Sequence, residues 1–120
     1  MDYALRTVSG TFHLIEIEAS NHELFTKKGQ PRSQLIHAEQ QVLDWLSWIE
    51  RHNSYAREGL ASLENPMGFV VIGRTKNLNE EAQRKLRQRN SMFRGKLQIL
   101  TYDELLEQAK LLLRRLTGEN

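Results

Sequence analysis

Apolar residues recur with two different periods along this chain, and the switches between them mark its elements. Over Thr11-Phe-His-Leu-Ile-Glu-Ile-Glu-Ala19, β-branched and apolar residues predict a strand. Side chains alternate across a strand, so Phe12, Leu14, Glu16 and Glu18 share one face, while His13, Ile15 and Ile17 share the other. The first face begins as core and ends in two carboxylates. A short mixed strand over Asp2 to Thr7 precedes it, joined by a turn containing Gly10. A three-residue loop, Val8-Ser9-Gly10, places Asp2 opposite Glu16; a two-residue Ser9-Gly10 loop pairs Asp2 with Ile17 and turns it away.

From Ser33, the expected N-cap, to about His52 the period becomes that of a helix. Leu35, Val42, Leu46 and Ile49 form its stripe, with Ala38 and Trp45 beside them as further core. Gln41 falls on the boundary of the stripe and His37 one turn before it, whereas Glu39, Gln40 and Glu50 point outward. Gly68-Phe-Val-Val-Ile-Gly73 is continuously apolar, as in a strand buried on both faces in the middle of a sheet. Asn79 with Glu80 and Glu81 opens a second helix that runs to about Asn90. Leu97 to Thr101 is the last strand. Thr101-Tyr-Asp-Glu104 is a capping box, opening a helix to Gly118 that is expected to bury Leu105, Leu106, Ala109, Leu112, Leu113 and Leu116. Two stretches carry no sustained period. Residues 20–32 read as a mobile surface loop at the carboxylate end of the strand, and residues 53–66 as a polar loop in which Leu60 and Leu63 suit one helical turn.

The order strand, strand, helix, strand, helix, strand, helix predicts an α/β fold in a single domain of 120 residues. With 39% hydrophobic and 27% charged residues the composition is that of an ordinary globular chain, and no apolar run approaches a membrane span. A cytoplasmic protein with no membrane partner is expected. The absence of cysteine excludes disulfides and thiolate metal sites. A net charge of +2 permits nucleic-acid binding without requiring it. The first strand starts at the chain's first residues, as in a domain cut from a longer parent.

Candidate chemistry centres on the carboxylates. Two like charges beside a buried face are costly unless compensated, and a divalent cation with oxygen ligands is one compensation; the other reading is a strand end that runs out into water. Asp2, Glu16 and Glu18, with Gln41 on the next helix, would gather oxygen ligands suited to magnesium. His37 either lines such a site or is an exposed polar residue. The basic residues Arg84, Lys85, Arg87 and Arg89 either track a phosphate backbone or form a solvated surface. Arg74 is better placed, at the end of a buried strand, where sites of open sheets collect. Trp48 is either the edge of the core or a contact to another chain or domain, with base stacking ranked last among its readings.

An ordered set of motifs spans nearly the whole chain. Ile15-Glu16-Ile17-Glu18 is followed by Leu24-Phe-Thr-Lys-Lys-Gly29, by His37-Ala38 with Gln41 and Trp45, by Val71-Ile-Gly-Arg74, and by Ile99-Leu-Thr-Tyr-Asp-Glu-Leu-Leu106. Together they resemble the C-terminal domain of the Shedu antiphage protein family, a nuclease domain of the PD-(D/E)xK superfamily. The resemblance implies a restriction-endonuclease-like fold, with a mixed central sheet of about four strands flanked by helices on both faces. It implies an enzyme that hydrolyses DNA phosphodiesters with Mg2+ or Mn2+, acting in bacterial or prophage defence. Asp2 and Glu16 would take the superfamily's acidic positions, Glu18 the place usually held by Lys, and Gln41 that of a helix glutamine that extends some of these sites. Glu18 would add a metal ligand or act as a base, with Lys27, Lys28 or Arg74 offsetting phosphate charge. DNA, further copies of the chain and the N-terminal regulatory region of a longer parent are the partners implied. The departure at Glu18 leaves a second expectation, a catalytically degenerate nuclease fold used for DNA binding, regulation or oligomerisation. A protein-interaction domain with no nucleic-acid role is the third.

Overall fold

The sheet is assembled around β2 (Phe12–Ile17), as the alternation of that stretch predicts. In a computed structural model, which describes residues 3–6, 12–52 and 67–118, four strands are ordered β1-β2-β3-β4. β1 (Tyr3–Arg6) runs antiparallel to β2 along one edge, while β2, β3 (Met67–Val71) and β4 (Leu97–Leu100) are mutually parallel. The expected mixed α/β architecture is therefore present, its parallel part made of three strands. In β1, Tyr3 lies opposite Ile15 and Arg6 opposite Phe12. That register is the one required by the three-residue loop and not by the two-residue loop. The loop itself and Asp2 lie outside the described residues, as does the 53–66 stretch.

One face of the sheet is sealed. Leu14, Gly68, Val70, Leu97 and Ile99 turn toward α1 (Ser33–Arg51) and α2 (Glu80–Met92), whose Leu35, Ala38, Val42 and Leu86 complete a dry core. At Gly68 the helix comes so close that a Cβ would stand 2.2 Å from Val42 Cγ1. The glycine is needed there for close approach, not for an unusual turn. Leu14 packs against Ile49 and Leu46, near the end of α1, so α1 runs opposite to β2 and its first half lies over the carboxylate end of the strand.

The sequence expectation for 20–32 needs correction. Leu24 and Phe25 are buried in the same core, Phe25 forms a β-bridge with Pro31, and the amides of Gly29 and Thr26 close a tight turn. Two apolar side chains thus anchor a segment whose polar composition reads as a loose loop. Arg32, not Ser33, is the residue at the α1 N-cap; it makes no side-chain cap bond, its guanidinium reaching instead to the Phe25 carbonyl and the Glu23 carboxylate. Trp45, expected in the core, is 39% exposed. Asn79 does cap α2, accepting from the Ala82 amide at 2.8 Å, and the capping box at Thr101 and Glu104 is formed.

The second face is open. α3 (Tyr102–Thr117) leaves β4 across this side, yet every leucine expected to be buried is exposed, from Leu105 to Leu116 at 76%. The 3.6-residue period of α3 records an apolar face correctly; nothing in the described domain presses against it. Between α3 and the sheet remains a cleft of about 580 Å³, lined by His13, Ile15, Phe69, Val71 and Leu100 opposite Leu105, Ala109 and Leu112. Helices therefore lie on both faces, but the second is covered only in part: Val71 and Leu100 are buried there, while the leucines of α3 are exposed. No helix among the described residues is long and apolar enough to cross a membrane.

Candidate functional site

Strand alternation aims Glu16 at α1, where the residue is only 6% exposed. A carboxylate taken out of water needs donors to remain charged. Gln41, on the flank of α1 above the strand, supplies one: with its nitrogen toward the carboxylate, the amide donates to Glu16 Oε1 at 2.5 Å and Oε2 at 3.3 Å. The two residues singled out from separate elements thus meet side chain to side chain. The arrangement fixes the carboxylate oxygens against the helix at the end of β2.

Glu18 continues the same strand by two residues, its amide donating to the Val71 carbonyl at 2.8 Å. Its own carbonyl accepts the Tyr102 hydroxyl at 2.5 Å, tying the strand end to the first turn of α3. Asp2, the third expected carboxylate, lies outside the described residues. Among the described residues no group of three or more His, Cys, Asp or Glu side chains is gathered as a metal site would require. His37 is exposed on α1, one turn before Gln41. Lys27 and Lys28 are exposed at the tip of the turn between Thr26 and Gln30.

Arg74 is held otherwise than the sequence indicates. Its Nε donates to both oxygens of Asp103 at 3.0 and 3.2 Å, and its Nη2 donates to Oδ1 at 3.0 Å. The Thr75 amide adds a bond to Oδ2 at 2.7 Å, and the Thr75 and Thr101 hydroxyls meet at 2.7 Å. The Arg74 guanidinium, with the Thr75 amide behind it, lowers the Asp103 carboxyl to about 2, well below the usual carboxylate range. Asp103 in turn raises the pKa of Arg74. The ends of β3, β4 and α3 are knotted together at this point.

The basic residues of α2 do not form one surface. Arg84 pairs with Glu81 within the helix. Lys85 lies across Gly29. Arg89 makes a two-pronged bond to Glu39 on α1, at 2.5 and 2.8 Å. Glu39, expected to face outward, is buried as the partner of that arginine, so of the four only Arg87 stays without such an engagement among the described contacts. Sequence reasoning also missed Tyr102 and Asp103, which read as members of a local capping box while their side chains bond 84 and 29 residues away. No curated protein matches the chain. The family described as Shedu protein SduA, C-terminal, matches residues 1–106, which takes in all four strands, α1, α2 and the first turn of α3. The chain belongs to that family.

Proposed function

We propose that this domain is a metal-dependent DNA nuclease of the PD-(D/E)xK type, working as the effector of an antiphage defence system. Family membership supports the defence role. The carrying observation for the nuclease is the buried Glu16 carboxylate bonded by Gln41 at the end of β2. The β1 register adds support, since Tyr3 opposite Ile15 is the pairing that the three-residue loop requires. The restriction-endonuclease-like description fits a mixed sheet with one antiparallel edge strand and a helix packed over its carboxylate strand.

The donor set proposed, the carboxylates of Asp2, Glu16 and Glu18, is all oxygen and would suit Mg2+ or Mn2+ over softer cations, with Gln41 orienting Glu16. Such a cation, when bound, lowers the pKa of water and polarises a phosphate oxygen. Glu16 would be the ligand held in place by its glutamine, with Asp2 as the second carboxylate proposed to hold the cation. Glu18 takes the proton of the attacking water or adds a ligand. Lys27 and Lys28 lie on the segment that leaves the carboxylate end and offset phosphate charge. Arg74 serves chiefly to fasten α3 through Asp103. His37, exposed one turn from Gln41, would line the site on the substrate side.

A degenerate site is the second reading, favoured by a carboxylate at 18 where a Lys is usual. Manganese titration by calorimetry, with cleavage of plasmid and linear DNA in Mg2+, Mn2+ or EDTA, separates the two. The nuclease predicts metal binding and cleavage, both lost in Glu16→Gln while the fold survives. Cleavage retained in Glu16→Gln overturns the assignment; a folded chain that binds DNA but neither binds metal nor cleaves favours the degenerate module.

A further inference from the structure

The Gln41 flank of α1 continues as a row of aromatic rings. Trp45 and Trp48 stand edge to face with centroids 5.9 Å apart, and Trp48 stacks on His52 at 4.6 Å with an interplanar angle of 20°. His52 is fixed by a 2.9 Å bond between Nδ1 and the Trp48 carbonyl. The tryptophans are 39% and 37% exposed, so the largest apolar side chains of the helix lie outside the core that Leu35, Val42 and Ile49 form. Spacings of four, three and four residues put Gln41, Trp45, Trp48 and His52 along one line. One turn further toward the start, the same flank carries His37 and Gln34. Of the helix's carboxylates, Glu39 and Glu50 point away from this row, whereas the exposed Asp44 borders it, three residues from Gln41 and four from Trp48, and accepts from the Gln40 amide at 2.8 Å.

The geometry points to a ledge on which the unstacked bases of a single DNA strand lie as that strand passes the Glu16–Gln41 pair. This deepens the nuclease reading and rests on it for the direction of the strand, though not for the binding itself. Two features favour a nucleic-acid strand over a protein partner. The row is continuous with the candidate site through Gln41. Its rings are held by one another in a rigid stepped array, which suits base faces of any sequence, because every base offers a π-surface. A protein-docking stripe would instead be expected to mix aliphatic side chains with the rings, as α3 does. Within this line the only non-aromatic member is an amide.

The test uses the whole 120-residue chain in EDTA, so that binding is read without cleavage. A short oligothymidylate and a blunt duplex of equal length are titrated at low salt, following intrinsic tryptophan fluorescence and anisotropy of the labelled DNA. The expected result is quenching by the single strand, tighter binding of it than of the duplex, and a loss of at least about fivefold in single-strand affinity in Trp48→Ala that Trp48→Phe restores. Trp45→Ala is expected to act in the same direction, with melting curves confirming that both variants fold. Equal single-strand affinity in the parent chain and Trp48→Ala overturns the ledge. So does a shift in molecular mass on Trp48→Ala with DNA affinity unchanged, which would assign the row to protein contact. Because metal is absent throughout, a chain that binds single strands through the ledge but never cleaves when metal is added defeats the nuclease reading alone.

Discussion

The hydroxyl of Tyr102 donates to the main-chain carbonyl of Glu18 at 2.5 Å, joining the first residue of α3 to the strand that carries the candidate carboxylates. A bond between an end of a strand and a side chain from the far end of the sequence fixes the position of Glu18 more firmly than strand pairing alone. Tyr102→Phe keeps the ring and removes the bond. We expect a loss of about 1 kcal/mol in urea denaturation, the ordinary net value of one hydrogen bond. If Glu18 works on the substrate, cleavage falls by more than the small loss of stability explains.

Glu39 and Arg89 couple α1 to α2 across the buried side of the sheet. Removing one partner strands the other's charge in a place water reaches poorly. Glu39→Ala is therefore expected to cost about 3 kcal/mol, at the low end for a buried pair because the arginine is partly exposed. Replacing both with leucine should recover most of the loss. A single variant as stable as the parent chain in urea would show that the pair contributes nothing net.

Gly68→Ala places a methyl 2.2 Å from Val42 Cγ1, against a helix that cannot yield without moving the core. The expected destabilisation is about 3 kcal/mol, the upper range for overpacking. Val42→Ala removes the obstructing methyls, so the double variant should be more stable than the sum of the singles predicts. Additive losses in thermal unfolding would mean that α1 gives way elsewhere.

Asp103 has its folded pKa depressed to about 2, from an ordinary value near 4. A depressed carboxylate contributes stability that is complete above the unfolded pKa and is lost as pH falls through the folded one. The fastening of α3 should accordingly be constant above about pH 5 and weaken between about pH 4 and pH 2. Amide exchange in the first turn of α3 measures this, and Asp103→Asn should abolish the pH dependence while accelerating exchange at neutral pH.

Much of this arrangement could be read from residue order. Alternation over 12–18 identified the strand and the face of Glu16, and the helical period put Gln41 on the boundary of α1, but residue order left two registers open for β1, of which the structure has the one required by the three-residue loop. The errors share a cause. Periodicity reports that a face is apolar, not that something covers it, so the leucines of α3 and Trp45 read as core and are exposed. Conversely, Leu24 and Phe25 sit among Lys, Gly and Pro, where no period survives, and only the three-dimensional approach of residues 24 and 25 to α1 and the sheet buries them. Glu39 read as an outward charge, and Arg74 as a site residue with no partner named, because Arg89 and Asp103 lie 50 and 29 residues away.

Among the described residues, every hydrogen bond tying α3 to the remainder of the domain comes from its N-cap and first turn, Thr101 to Glu104. The helix is then a lever about 24 Å long, clamped at one end and bare along its leucine edge. The same clamp holds the backbone of Glu18, so one set of bonds places both the start of α3 and the end of the strand whose Glu16 meets Gln41.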